Sequence, residues 1–491
     1  MKLKVKLLNW NAGVPVAMLH HELAGALGVH IRDRISIKTS SKEIYTVVDT
    51  IGTLIRKNEI AVSSELKERL NLKKGQNVDV NIAEATKSLT FIKKKLNNQT
   101  LSEEEIQEII KDVINNAISE SEIAMFVSAM YKYGMNFKET IYLIKAILET
   151  GNKLNLKNKL IADKHSIGGI AGNRTTPIIV SICAAAGLIM PKTSSRAITS
   201  AAGTADVIEK IASVDFSISD VKKIVKKTGA CMVWCGGFGM VPADSKIIKV
   251  EKLLKIEPKA QLLASIISKK LAVGSNYILI DIPYGKSAKF GKKKSLELKR
   301  DFEKLGKYFK RKLKVVLTDG SQPIGNGIGP ALELIDVLNI LNPKKQGPKD
   351  LESKSIFLSG ELLELTGKAK KGQGERMALE ILASGKAFEK FKEIIKAQGG
   401  DTNFEKLQPA KFKKNIHAKK SGKIKEIDNK KINALARVAG CPVDKSSGLY
   451  LYYHVGKKVK KGEVILTVYS ETRSRLNQAV AFYWKEKPIK I

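Results

Sequence analysis

The chain has 491 residues, too many for one hydrophobic core, so we expect about three domains. Hydrophobic residues make up 43% and charged residues 27%, which excludes an intrinsically disordered chain, and 6% aromatic residues argues against extensive base-stacking surfaces. The formal net charge of +37 has two interpretations, a patch for nucleic acid or anionic lipid, or lysines spread over solvated faces. The scattered lysines favour the second, with a general attraction of phosphate compounds, and nucleic-acid binding stays open as a secondary property.

Cysteine usage and hydropathy predict a soluble, cytoplasmic protein without a membrane partner. The four cysteines, Cys183, Cys231, Cys235 and Cys441, are too few and too irregular for a disulfide framework. We expect buried thiols in a reducing compartment and no metal site. The N-terminal segment makes a poor signal peptide because Asn9 and Asn11 interrupt it, and the longest apolar run, 178–190, is too short to span a bilayer.

The first 157 residues divide into a strand-rich part and a helical part. Residues 1–85 indicate a strand-rich N-terminal module, because Leu3, Val5 and Leu7 alternate with lysines. The first part of a helical domain is expected at 86–157, where Ser102 and Glu105 form a capping-box pattern before an apolar helical face.

Beyond residue 157 the sequence alternates loops, apolar strands and amphipathic helices, as an α/β domain does. We expect that mixed-sheet domain at 158–240 and 275–410, with the second part of the helical domain at 241–274 between them. Residues 411–491 return to short strands and glycine turns, which indicates a small α+β C-terminal domain. The predicted fold class is therefore multidomain α/β, with the helical and α/β domains forming a cleft.

Two hydroxyl-rich loops about thirty residues apart carry the chemistry. In the glycine-rich segment 164–177, Lys164 and the hydroxyls of Ser166, Thr175 and Thr176 suit an anion at a helix N-terminus. Segment 192–209 again leads from a strand into a helix, and its arginine could fork onto a phosphate or a base edge. Each loop alone could be a polar turn with capping hydroxyls, but together they favour phosphate binding.

The second loop, Ser194-Ser-Arg-Ala-Ile-Thr-Ser-Ala-Ala-Gly-Thr-Ala-Asp-Val-Ile-Glu209, resembles the signature of the thymidine and pyrimidine-nucleoside phosphorylase family. Its Arg-Ala-Ile-Thr-Ser form is similar to the archaeal-type AMP phosphorylase branch, as is an N-terminal module of about 85 residues. The resemblance covers essentially the whole chain. Further matching segments, in the family's order, are 164–169, 264–270, 280–283, 322–325, 329–333, 448–451 and 455–462.

The resemblance implies two sets of binding residues and no cofactor. The attacking phosphate would be held by Lys164, Ser166, Thr176, Ser194 and Thr204. AMP would be contacted by Gly169, Ser195, Arg196, Ala197, Ile198, Thr199, Ser200, Thr204, Ser265 and Lys289. His165 and Lys269 are candidates for contacts to the base or sugar, although a lone histidine beside a glycine-rich loop is often a structural hydrogen-bonding group.

The family's proton donor, an Asp in an Asp-Pro pair, is replaced here by Glu257 before Pro258. The carboxylic acid is kept, with one more methylene, and an apolar setting would help it to protonate the departing base. On sequence alone, Glu257 would be an acid at a helix N-terminus, and only the family position makes it the catalytic candidate. Val250 stands where nucleoside enzymes have an arginine that recognises pyrimidines, which favours the AMP branch.

The resemblance implies phosphorolysis of nucleoside 5′-monophosphates in nucleotide catabolism or salvage, AMP plus phosphate giving adenine and ribose 1,5-bisphosphate, with CMP and UMP as further substrates. The resemblance also implies a homodimer or a higher homo-oligomer. The alternative is a pyrimidine-nucleoside phosphorylase acting on thymidine or uridine. A third interpretation, from another class, is a nucleic-acid-binding protein with a degenerate enzyme fold, which the scattered lysines disfavour.

Overall fold

The computed structural model describes residues 1–491 except Asn9, Ser41, Glu84, Ala85, Lys157 to Lys159, Ile198 and Thr199. The chain forms two compact units, Met1–Gly151 with Pro242–Ser265, and Asn152–Val241 with Ile266–Ile491. The six domain segments expected from the sequence, and the cleft, stay predictions. Among the described residues, no helix is both long enough and apolar enough to cross a membrane.

The first unit begins with a closed β-barrel of six strands. Its elements are β1 (Lys2–Leu7), β2 (Val16–His20), α1 (His21–Leu27), β3 (Arg34–Lys38), β4 (Glu43–Ile51), β5 (Glu59–Val62), α2 (Ser64–Leu70) and β6 (Asn77–Ile82). Leu3 and Val5 point inward and the neighbouring lysines outward, because side chains alternate along a strand. The strands follow the order β1-β5-β2-β4-β3-β6, and closure gives each of these six strands two paired neighbours.

The rest of the first unit is helical. It comprises α3 (Lys87–Leu96), α4 (Glu103–Asn115), α5 (Glu120–Tyr133), α6 (Phe137–Glu149), α10 (Pro242–Leu254) and the beginning of α11 (Lys259–Ala272). The capping box predicted at Ser102 and Glu105 is confirmed, and the same device starts α5 and α6. A buried ion pair of 2.9 Å between Lys95 and Glu139 ties α3 to α6.

The second unit contains an α/β domain built on parallel strands. Its strands are β7 (Ala162–Ser166), β8 (Met190–Ser194), β9 (Ala230–Trp234), β10 (Tyr277–Tyr284), β11 (Lys312–Asp319) and β12 (Gly327–Ile328). Its helices are α7 (Thr175–Ala185), α8 (Thr204–Ile208), α9 (Ile218–Thr228), α12 (Lys292–Tyr308), α13 (Pro330–Leu341), α14 (Lys349–Leu365), α15 (Gly374–Ala383) and α16 (Lys386–Ala397). Sheet β11-β10-β7 and pair β8-β9 are parallel, and a parallel bridge between Ile161 and Ile189 links them.

The C-terminal part of the second unit mixes short strands with two helices. A 3-10 turn, Phe404–Lys406, precedes β13 (Phe412–His417), β14 (Gly422–Lys423), β15 (Glu426–Ile427), α17 (Asn429–Ala439), β16 (Gly448–Leu451), β17 (Lys458–Val459), β18 (Val464–Ser470), α18 (Arg473–Glu486) and β19 (Ile489–Lys490). Its main sheet has the order β12-β16-β18-β13, and its apolar core includes Ala171 and Ala201 from the two hydroxyl-rich loops. The multidomain α/β fold class is confirmed.

Candidate functional site

The first loop leaves the carboxyl end of β7 and enters α7. Gly168, Gly169 and Gly172 have φ of +82°, +91° and +71°, a region that L side chains rarely adopt. A Cβ atom on Gly172 would lie 2.3 Å from the carbonyl oxygen of Ile324, so only glycine fits there. A loop between the end of a parallel strand and a helix N-terminus is the usual place for an anion in α/β domains.

The second loop runs from β8 to α8, and its conformation is held by acidic side chains. Asp206 accepts hydrogen bonds from the backbone N–H groups of Ala197 (2.8 Å) and Gly203 (2.7 Å). Arg196 donates a bidentate pair to Glu209, at 2.5 and 2.7 Å. Hydrogen bonding from Arg196, with a further contact from Lys445, lowers the pKa of Glu209 to about 2. In this structure the guanidinium of Arg196 is bonded to Glu209, and its contact with a phosphate or a base edge stays a prediction. Ile198 and Thr199 lie outside the described residues.

Arg174 joins the two loops. Its Nε donates to Glu333 at 2.7 Å, while its terminal nitrogens donate to Thr204 Oγ1 at 3.0 Å and the Ala202 carbonyl at 2.6 Å. Arg174 and Glu333 are both buried, and burial raises the pKa of Glu333. Neither residue was predicted from the sequence, although Arg174 lies in the glycine-rich segment 164–177 and Glu333 lies in segment 329–333, which resembles the family. Because 159 residues separate them along the chain, no local sequence pattern indicates that these two side chains meet.

Beneath the first loop lies a buried cluster of charged groups. Lys164, 1% exposed, donates to Thr175 Oγ1 at 2.7 Å, and burial lowers the pKa of its ammonium to about 7. Asp163 pairs with Lys192 at 3.1 Å and with Lys270 at 2.7 Å. Burial and the nearby cations keep the pKa of His165 well below its ordinary value, so this imidazole is neutral near pH 7.

Most of the other predicted phosphate ligands also belong to the two loops. Thr176 and Thr204 are nearly buried at the first turns of α7 and α8, and Ser194 ends β8 half-buried. Ser166 ends β7, where its Oγ accepts a hydrogen bond of 3.3 Å from Asn173 Nδ2. Both loops leave parallel strands linked by the Ile161–Ile189 bridge, so their hydroxyls lie at one edge of the sheet.

The remaining predicted residues lie in both units. Gly169 and Lys289 are in contact, because a Cβ atom on Gly169 would lie 2.9 Å from that of Lys289. Lys269 is buried on α11. Glu257 and Ser265 belong to the first unit, and Glu257 is half-buried in the connection between α10 and α11.

Helix α17 of the C-terminal part contacts both loops, which was not predicted from the sequence. Asn429 Oδ1 accepts a hydrogen bond of 3.1 Å from the Ala171 N–H, and Asn433 Oδ1 accepts one of 2.8 Å from the Ala201 N–H. Both asparagine side chains are buried, and amides buried in this way fix the loop backbones. The two residues are four apart, so they lie on the same face of the helix.

Three family models match the chain. Residues 89–151 match a glycosyl transferase family helical bundle domain, residues 158–388 match a glycosyl transferase family α/β domain, and residues 423–490 match a pyrimidine nucleoside phosphorylase C-terminal domain. The three matches therefore include both hydroxyl-rich loops and α17.

Relatives that bear the name AMP phosphorylase match over the full length. The one from Thermococcus kodakarensis is 43% identical, the alignment covering 100% of this chain and 98% of the relative. The one from Methanococcus aeolicus is 40% identical, with coverage of 100% and 97%. Among solved structures, anthranilate phosphoribosyltransferase from Thermus thermophilus superimposes with a TM-score of 0.52 at 18% identity, over 63% of this chain and 99% of that one, which indicates a shared fold.

Proposed function

The chain belongs to the AMP phosphorylase family, and from that premise we propose that it transfers the ribose 5-phosphate group of AMP from adenine to inorganic phosphate. The products are adenine and ribose 1,5-bisphosphate. The observation that carries the proposal is the match to AMP phosphorylases over the whole chain. That match extends over both loops, over Arg174 and Glu333 that join them, and over the C-terminal helix packed on them.

The proposed reaction needs orientation and charge neutralisation more than an activated side chain. A phosphate oxygen forms a bond to C1′ while the C1′–N9 bond breaks and its electron pair goes to the adenine nitrogen. The nucleophile arrives already charged, so fixed cations and hydroxyls that orient it and neutralise its charge are the main requirement. Positive charge that develops on the ribose is stabilised by the bound phosphate, and no metal or organic cofactor enters the scheme.

We assign the attacking phosphate to Lys164, Ser166, Thr176, Ser194 and Thr204. Support comes from the burial and partners of these groups at the ends of β7 and β8 and the starts of α7 and α8. AMP is assigned to Gly169, to Ser195 through Ser200, and to Thr204, Ser265 and Lys289, with His165 and Lys269 near the base or sugar. Arg196, one of these AMP residues, also holds the second loop through its hydrogen bonds to Glu209.

We assign the proton donor to Glu257. Protonation of the departing adenine leaves a neutral leaving group and a carboxylate, and general acid catalysis of this kind contributes roughly 10²- to 10⁴-fold. The assignment is supported by the position of Glu257 immediately before Pro258 in the chain, where the family has its Asp-Pro pair.

The proposal also includes further substrates, a metabolic role, a compartment and an oligomeric state. CMP and UMP are proposed as further substrates, nucleotide catabolism or salvage as the role, and the cytoplasm as the compartment. A homodimer or a higher homo-oligomer is proposed as the working form, which size-exclusion chromatography with light scattering would test directly.

The experiment that tests the function is steady-state phosphorolysis of AMP beside adenosine, uridine and thymidine. We expect phosphate-dependent release of adenine from AMP, with ribose 1,5-bisphosphate identified by ³¹P NMR, and the largest kcat/KM for AMP. A larger kcat/KM for uridine or thymidine would instead identify a nucleoside phosphorylase. Salt-sensitive RNA binding without any release of adenine would identify a nucleic-acid-binding protein.

A further inference from the structure

A cavity of about 370 Å³ lies between α17 and the segments that carry Gly169 and Lys289. Ser287 and Lys289 line it from the α/β domain, and Lys430, Asn433 and Arg437 line it from the C-terminal part. Three of the described lining residues are cations and none is a carboxylate. The cavity lies at the lower end of the size range for ligand sites, so it suits a charged group and part of a sugar better than a whole nucleotide.

Helix α17, which carries Lys430 and Arg437, is anchored to the α/β domain by hydrogen bonds of its own side chains. Asn429 donates to Ser287 Oγ at 3.0 Å and to the Gly320 carbonyl at 3.1 Å, while its oxygen accepts from Ala171. Arg437, eight residues further along the same face, donates to the Ser200 carbonyl at 3.2 Å. One helix face therefore contacts four segments of the α/β domain, which fixes the position of α17 relative to both loops.

The opposite wall belongs to the predicted AMP residues. Gly169 has φ of +91°, and its Cα would direct a Cβ to 2.9 Å from the Cβ of Lys289. This contact joins the first loop to the Lys289 segment, so that both line the same cavity. A residue with a side chain at position 169 would fill the space between them.

A nucleoside monophosphate carries about −1.5 to −2 charges on its 5′-phosphate at neutral pH. Binding such a group requires several donors and cations held close together. The buried cluster at Lys164 already has hydroxyl partners and suits the second anion of the reaction, the attacking phosphate. The cavity at α17 supplies a separate group of cations, as two phosphates with different roles require.

We propose that this cavity binds the 5′-phosphate of the nucleotide, with Lys289, Lys430 and Arg437 supplying the positive charge. The C-terminal helix α17 is then part of the substrate site and selects nucleotides over nucleosides. This inference rests on the proposed function, since it assigns one end of the substrate of the same reaction. It gives the C-terminal part a direct role in specificity as well as a structural one.

The test compares Lys430→Gln, Arg437→Gln and the double variant with a control of equal charge change, Lys431→Gln combined with Arg473→Gln. Lys431 donates to the Glu486 carbonyl at 2.6 Å and Arg473 lies over the Phe412 ring, so neither lines the cavity. We expect the double variant to raise KM for AMP by about tenfold or more, the equivalent of one lost charged contact, with KM for phosphate unchanged. The control should stay within about twofold of the original protein.

Two further measurements separate the subsite from the reaction and from folding. Calorimetric titration should show AMP affinity lost in the double variant while adenosine affinity is unchanged, and circular dichroism should show an unchanged fold. Arg437 also contacts the second loop, so its replacement alters more than the charge of the cavity. Lys430→Gln alone must therefore also weaken AMP binding without weakening adenosine binding, by a smaller factor than the double variant. Equal losses for AMP and adenosine, a rise in KM for phosphate to match that for AMP, or a double variant equal to the control would overturn the subsite. If the original protein releases no adenine from AMP, the proposed function fails first.

Discussion

The side chain of Lys164 is almost fully buried, and burial lowers the pKa of its ammonium to about 7. Below that pH the group is charged, and above it the unliganded protein holds a neutral amine. A bound dianion favours the charged form, so anion binding above pH 7 requires the uptake of a proton. The affinity of the site for an anion should therefore fall as the pH rises through 7.

Sulfate can test the direction of this pH dependence, because its own charge is constant between pH 6 and 9. We expect the inhibition constant of sulfate against phosphate to be flat below pH 7 and to rise above it, approaching about tenfold per pH unit. Lys164→Arg, which keeps its charge throughout this range, should remove the rise. A pH profile shared by both proteins would show that Lys164 does not contact the anion.

Glu257 provides a second prediction at the scale of one residue. Replacing the acid with an amide removes the proton and keeps the shape, so Glu257→Gln should lower kcat by roughly 10²- to 10⁴-fold with AMP binding nearly unchanged. Glu257→Asp, which restores the family's acid, should retain activity. The measurement is kcat from adenine release, with AMP affinity from calorimetry; near-normal turnover of the Gln variant would exclude the acid role.

At the scale of elements, the pair of Arg174 and Glu333 connects the start of α7, the second loop and α13. Both side chains are buried, at 7% and 1% exposure. Removal of one partner leaves an uncompensated buried charge, whereas removal of both leaves none. The pair therefore fixes the relative position of the two loops, and the stability of each buried side chain depends on the presence of the other.

We expect Arg174→Met to lower the free energy of unfolding by about 3–5 kcal/mol and to raise KM for both AMP and phosphate. Arg174→Met combined with Glu333→Gln should recover part of the stability, but the two loops would remain unlinked and the KM values high. Denaturant unfolding of the four proteins in a double-mutant cycle measures the coupling. Additive losses in stability would contradict a direct interaction.

At the scale of the whole molecule, the N-terminal barrel has a core of its own. The apolar residues packed inside it all come from residues 3–80, and closure pairs every strand with two neighbours. Such a module contains both the hydrophobic contacts and the hydrogen bonds that independent folding requires. Its stability should not depend on the remainder of the chain.

We therefore expect residues 1–86, produced alone, to unfold cooperatively on heating, as measured by far-ultraviolet circular dichroism. Leu19 is fully buried and Leu54 is 54% exposed, which offers a matched pair of substitutions. Leu19→Ala should destabilise the fragment by about 2–5 kcal/mol, while Leu54→Ala should change it little. A gradual transition, or equal effects of the two substitutions, would show that the barrel depends on the rest of the chain.

The net charge of +37 is a second property of the whole molecule. The cations beneath and between the two loops are buried and partnered, as Lys192 and Lys270 are with Asp163 and Arg174 is with Glu333. The charge excess therefore resides on the many exposed lysines outside this cluster. Spread in this way, it attracts phosphate compounds over a distance that salt shortens.

The sequence by itself determined the features that depend on neighbouring residues. The capping box at Ser102, the alternation in β1 and the glycine and hydroxyl content of both loops are local patterns, so they predicted helix starts, strands and an anion site. The resemblance of segment 194–209 to a known family indicated the reaction class, because that loop keeps its residues in order along the chain.

Only the tertiary structure decided which distant groups meet. Arg174 binds Glu333 across 159 residues and Asn433 holds Ala201 across 232, and no periodicity in the sequence relates such positions. Arg196 is a further case, because its residue type is compatible with several anionic partners and only the fold shows that Glu209 lies within reach. Local chemistry determined which kinds of partner each side chain can bind, and packing determined which groups of the protein it meets.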